Sequence, residues 1–145
     1  MKVYSLGFTK KTAAEFFTTL RQAGIRRLLD VRLHNASQLA GFTKRDDLPF
    51  FLKELCAAEY IHEPLLSPTP DLLEGYRKKR LSWQDYEPRF LSLLAERAVE
   101  KQIDRHVFTI PTVLLCSEST AAHCHRRLIL EYLQDKWGDL DITHL

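Results

Sequence analysis

The chain has 145 residues, 45% of them hydrophobic and 28% charged, with a net charge of +2 at pH 7. These values fit one soluble domain spanning 1–145 and exclude a disordered, collagenous or disulfide-stapled miniature chain. The mild pI of 8.5 argues against nucleic-acid binding by bulk charge, and the sequence shows neither an apolar run of the roughly 18–20 residues a membrane helix needs nor a signal peptide.

Val3-Tyr4-Ser5-Leu6 reads as a strand broken by Gly7. Thr9 or Thr12 caps the helix that follows, and Thr12 with Glu15 fits a capping box. Ala13, Phe16, Phe17 and Leu20 recur at helical spacing, and Gly24 ends the helix. Arg27 to Arg32 is a second strand, so the first unit is βαβ with parallel strands. Residues 33–47, with Asn35, Ser37, Gly41, Lys44 and Arg45, form a long loop.

Asp46 or Asp47 caps a second helix with Pro49 in its first turn and Leu48, Phe51, Leu52 and Leu55 on its buried face. Glu59 to His62 is a third strand, ended by Pro64. Thr69 caps a short helix opened by Pro70, and Ser82 or Glu87 begins a longer one running to about Gln102. Pro111 to Cys116 is an apolar run suited to a central strand. A turn, Ser117-Glu118-Ser119-Thr120, leads to a helix with Leu128, Ile129, Tyr132 and Leu133 inward, ending at Gly138. Asp141 to Leu145 is the last strand. The expected fold is α/β: a mainly parallel sheet of about five strands with helices on both faces, in Rossmann-like or flavodoxin-like layers.

Ligands of open parallel sheets bind beyond the carboxyl ends of the strands. Those ends carry Ser5, Gly7 and Phe8, then Asp30 and Arg32, then His62, then Cys116 and Glu118, then His144. The densest stretch is Cys116 to Arg127. Its helix start favours anions and lowers the pKa of a nearby thiol. Cys116 is thus a candidate reactive thiol, Glu118 an acid or base, and Arg126 an anion clamp, whereas Cys124 shares a helix face with Leu128 and suits a core thiol. Three cysteines, an odd number, read as reduced thiols of a cytosolic protein.

Cys116, Cys124, His125, His62 and His144 include zinc-type ligands. The Cys116 to Cys124 interval is too long for the usual knuckle, however. Cys124 and His125, adjacent on a helix, point about 100° apart and rarely bind one ion together. The spacing therefore argues against a metal. Asp30 and Arg32 share a strand face, either as a simple salt bridge or with Asp30 orienting Arg32 on an anionic substrate. Tyr60, His62, Tyr76, Trp83 and Tyr86 accompany the basic run Arg77-Lys78-Lys79-Arg80. That mixture suits either a solvated helix end or a base-stacking surface.

Several of these segments resemble a known family. They are Ser5-Leu6-Gly7-Phe8-Thr9, Asp30-Val31-Arg32, Gly41-Phe42, Tyr60-Ile61-His62, Tyr76 with Tyr86, Cys116-Ser117-Glu118 with Cys124-His125-Arg126, and His144-Leu145. Together they look like domain-of-unknown-function family 488, the YeaO-like proteins. The Cys-x-Glu and Cys-His-Arg pieces are the most specific. The resemblance covers nearly the whole chain and implies a cytosolic α/β protein. Its implied polar site is Asp30, Arg32, Cys116, Glu118, Cys124, His125 and Arg126. It implies no established reaction and names no cofactor. The chain departs from the family pattern at Ala121-Ala122-His123 and at Leu66.

Three functions are compatible with these residues. The first is an enzyme acting on a small or nucleotide-like anionic substrate. Arg32, Arg126, Cys124, His125 and His62 would bind that substrate. Glu118 or Asp30 would be the general acid or base and Cys116 the nucleophile. The second is a nucleic-acid-binding module using residues 77–80 and the 33–47 loop, with salt-dependent affinity. The third is a thiol redox sensor pairing Cys116 with Cys124, which requires Cα atoms within about 7 Å.

Overall fold

The computed structural model describes residues 1–36, 41–118 and 121–145. The expected loop residue Ser37 and turn residues Ser119 and Thr120 lie outside them. Five runs rich in apolar residues pair as strands: β1 (Lys2–Gly7), β2 (Arg27–Asp30), β3 (Glu59–His62), β4 (Thr112–Cys116) and β5 (Asp141–His144). All pairings are parallel, in the order β3-β2-β4-β1-β5. The α/β architecture expected from the sequence is the one observed.

Six helices connect the strands among the described residues: α1 (Ala13–Gln22), α2 (Leu48–Cys56), α3 (Pro70–Arg77), α4 (Trp83–Arg97), α5 (Val99–Gln102) and α6 (His125–Trp137). Side-chain caps start three of them. Thr12, Thr69 and Ser82 accept from the backbone N–H of Glu15, Leu72 and Asp85, each removing an orphan donor. Asp47 precedes α2 but makes no such bond.

Residues alternate across the sheet, which divides the core in two. Leu28, Val113 and Leu115 pack with Phe16, Phe17 and Leu20 of α1 and with Leu48 and Leu52 of α2. Leu29, Leu114 and Cys116 face Phe90 and Leu94 of α4 and Leu128, Ile129 and Leu133 of α6. Each fully buried Leu or Phe contributes about 1.5–3 kcal/mol.

The structure corrects several local expectations. Gly7 does not break β1 but ends it, paired with Cys116. Strand β2 stops at Asp30, two residues short of Arg32. Leu55 is 44% exposed rather than buried, because α2 turns only Leu48 and Leu52 fully inward. Ala13 is exposed too. The long helix starts after Ser82 with Pro88 inside it, and Ala98 interrupts it in a left-handed conformation (φ 50°) before α5. A 3-10 turn at Arg105–Phe108 has no periodic signal in the sequence.

The strand order also has a switch point, where connections part in opposite directions. From β1 the chain crosses toward β2, and from β4 it crosses toward β5, in the opposite direction. The two strands are neighbours, so the crevice lies between their carboxyl ends.

Candidate functional site

The segments leaving β1 and β4 are locked together. A Cβ on Gly7 would lie 1.4 Å from the carbonyl oxygen of Glu118, so only glycine admits this approach. The backbone N–H of Thr9 donates to the carbonyl of Ser117 at 3.1 Å, and the Thr9 hydroxyl donates to the same oxygen.

Behind this junction lies Arg126, on the inner face of α6 and fully buried. Its Nη1 donates to the Glu118 carbonyl at 2.6 Å and to the Cys116 sulfur at 2.9 Å; its Nε donates to Ser5 Oγ at 3.1 Å. Ser5 Oγ is also 2.5 Å from Nδ1 of His144. Burial lowers the pKa of Arg126 to about 10, against the pull of Glu118, which leaves it charged at neutral pH. A buried guanidinium requires a negative partner. Arg126 has no carboxylate ion pair among the described residues, and of the atoms it touches only the Cys116 sulfur, once reduced, can carry negative charge.

Beyond β2, Arg32 grips Asp30 through two bonds of 2.8 and 2.9 Å, and both residues are buried. Asp30 also accepts from the Tyr60 hydroxyl at 2.6 Å, while Arg32 donates to the Thr43 carbonyl at 2.6 Å and lies over the Phe8 ring. Burial and the Asp30 carboxylate hold the Tyr60 phenol well above its ordinary range. His62 sits beside this network, with Nε2 3.1 Å from the Arg32 carbonyl.

Two cysteines and a histidine meet above the end of β4. Cys124 is not helical; it is the residue before α6, with an extended backbone (φ −138°, ψ 140°). This removes the premise that its side chain and that of His125 must diverge by a helical step. Cys116 and Cys124 are paired as a disulfide in the structure, with Cα atoms 7.8 Å apart and Cys56 left as the free cysteine, which corrects the expectation of three reduced thiols. One ligand atom from each of Cys116, Cys124 and His125 falls within 4.8 Å of the others. Nε2 of His125 lies 2.9 Å from the Val31 carbonyl. A carbonyl only accepts, so Nε2 carries the proton and Nδ1 keeps its lone pair, 3.9 Å from the Cys124 sulfur. Burial, with Arg126 nearby, holds the imidazole well below its usual pKa.

These groups open into a cavity of about 440 Å³. The cavity is lined by Arg32, Cys116, Glu118, Cys124 and His125 together with Tyr76, Arg77, Trp83, Tyr86 and His123. The Trp83 ring stacks on His123 at 5.1 Å and on Tyr86 at 5.2 Å, and Tyr76 lies 5.1 Å from Tyr86.

Of the residues singled out in the sequence, the structure brings Arg32, Cys116, Glu118, Cys124 and His125 to one cavity. Asp30 and Arg126 lie behind it, each holding a residue that lines it. His62 and His144 are outside the lining, one bonded to Arg32 and the other to Ser5. The sequence associated Tyr76, Trp83 and Tyr86 with the basic run and not with the thiols. In that run, Lys78 pairs with Glu74 at 2.5 Å, while Arg77 lines the cavity. His34 went unnoticed, and no sequence signal marks it.

Among the described residues, no helix is long and apolar enough to cross a membrane. Neither the curated proteins nor the solved structures compared contain a match to the chain. A family model does match, over residues 12–133. That span contains β2 to β4 and α1 to α5, most of α6, and both thiols with His125 and Arg126, so the chain belongs to the family described as domain of unknown function DUF488.

Proposed function

We propose that this protein is an enzyme acting on a small anionic substrate that carries an aromatic ring, of the nucleotide type, in the cavity between the ends of β1 and β4. One observation carries the reading. A single cavity is lined both by stacked rings and by Cys116, Glu118, Cys124 and His125. Stacking of a base on such rings is worth about 1–3 kcal/mol. Arg77 is exposed and has no ion pair among the described residues, so its guanidinium is available to a phosphate or carboxylate. Glu118 is exposed at the cavity and is the group for proton transfer there. Asp30 acts through Arg32 as a positioning residue.

Trp83 reports on this site, whereas the other tryptophan, Trp137, packs on Phe108. In a Trp137→Phe background, titration with nucleoside mono- and diphosphates should quench Trp83 saturably and raise Tm, as any ligand of the native state does. Arg77→Ala should weaken the effect about tenfold or more, the loss of one charge-assisted contact. Absence of saturable quenching across that panel would overturn the reading.

A further inference from the structure

We propose that Cys116, Cys124 and His125 form a zinc-type metal centre whose open coordination position faces the cavity. The proposal is independent of the ligand class inferred above.

Four observations support it. First, Sγ of Cys116, Sγ of Cys124 and a ring nitrogen of His125 lie within 4.8 Å of one another, which lets one ion reach all three. Second, the imidazole is already oriented. Nε2 donates to the Val31 carbonyl at 2.9 Å, leaving Nδ1 unprotonated on the side of Cys124. Metal-bound histidines characteristically fix the second ring nitrogen in this way. Third, buried Arg126 donates to the Cys116 sulfur at 2.9 Å. That arrangement suits a thiolate, the form that binds metal. Fourth, the Cα separation of 7.8 Å lies beyond the roughly 4.4–6.8 Å usual for a disulfide, a spread that the reduced pair can hold about an ion.

Two thiolates and an imidazole select a borderline-soft cation, and zinc is the common one. Three protein ligands leave a fourth position open, the pattern of catalytic rather than structural zinc. All three ligands line the cavity with Glu118, so a water in that position would sit in the cavity that Glu118 also lines. Binding takes the reduced pair: a thiol reductant supplies the two electrons that open the Cys116–Cys124 disulfide, after which each sulfur and Nδ1 supplies a lone pair and any thiol proton leaves to solvent.

The test uses the full chain, stripped by chelator under reducing conditions and titrated with Co²⁺. One equivalent should produce a thiolate-to-cobalt charge-transfer band, which Zn²⁺ abolishes by displacement. Cys124→Ser should lose the band and weaken Zn²⁺ binding by at least about a hundredfold, at or beyond the upper end of an outer-shell loss. Cys56→Ser should change neither. If the Cys124→Ser chain does not fold, alkylation of the wild type decides: Zn²⁺ should protect Cys116 and Cys124 and leave the rate at Cys56 unchanged. No charge-transfer band in the reduced wild type, a band that survives Cys124→Ser, or equal alkylation with and without Zn²⁺ would each overturn the proposal.

Discussion

Arg32 and Asp30 form a two-bond ion pair in which the carboxylate is fully buried and the guanidinium almost so. Such a pair gains little over an apolar replacement, but breaking it by removing one partner leaves an uncompensated buried charge. Arg32→Met should therefore cost about 3–5 kcal/mol. The double variant Asp30→Asn/Arg32→Met should cost less than Arg32→Met alone. Urea midpoints of the three proteins measure this; a single-variant loss below about 1 kcal/mol would mean that the charge finds water.

The approach of β1 to the segment after β4 makes a second prediction. At Gly7 a methyl group meets backbone, the Glu118 carbonyl, and not a side chain that can turn away. Gly7→Ala should destabilise by about 3 kcal/mol and displace Glu118 at the cavity. Gly41, where a Cβ meets nothing within 4 Å, is the control, and Gly41→Ala should stay within about 0.5 kcal/mol. Thermal unfolding of the two variants side by side separates the cases.

Helices α2 and α4 differ in how much of their apolar surface is used. Phe50 is 63% exposed and Phe90 fully buried. Phe90→Ala should cost about 3–5 kcal/mol through lost transfer energy and an unfilled cavity. Phe50→Ser should be nearly silent in stability. If the Phe50 variant lost as much as the Phe90 variant, the assignment of these two faces would be wrong.

His144 makes the stability pH-dependent. Partial burial and the nearby Arg126 lower its pKa, with Arg127 adding to the effect and Glu131 opposing it. The unfolded chain, near the ordinary value of about 6.5, binds the proton more readily than the folded one. The contribution of the neutral ring is therefore complete above about pH 6.5 and is lost as pH falls below it. Between pH 7.5 and 5.5 the urea midpoint of the wild type should fall further than that of His144→Asn. Equal falls would show that His144 is not a source of the dependence.

Much of the fold was legible because periodicity and caps are local. The run Thr112 to Cys116, apolar after its first residue, became the central strand with all five residues buried. Thr12, Thr69 and Ser82 capped the helices assigned to them. Strand order was not legible, because it depends on which edges meet across long stretches of chain. The site was legible only in part. The Cys116 and Arg126 pieces stood out as clustered polar residues beside a buried strand. The aromatic wall did not, since Trp83 and His123 are distant in sequence and meet only when α4 packs against α6. The relation of Cys124 to His125 was misjudged for a related reason: the capping residue of a helix has a strand-like backbone, and sequence does not mark the step between the two.

The strand order has a consequence for the life of the chain before it is complete. Strands β1 and β2 are made early yet never touch, because β4 lies between them. Until residues 112–116 leave the ribosome, each has an open edge, the surface on which strands of different molecules join. Nothing resembling the cleft can exist in that interval, since one of its two walls has not been synthesised. A nascent chain stalled in α4 would thus be prone to aggregation, and insertion of the last central strand would join β1 to β2 while Cys124, His125 and β5 were still to come.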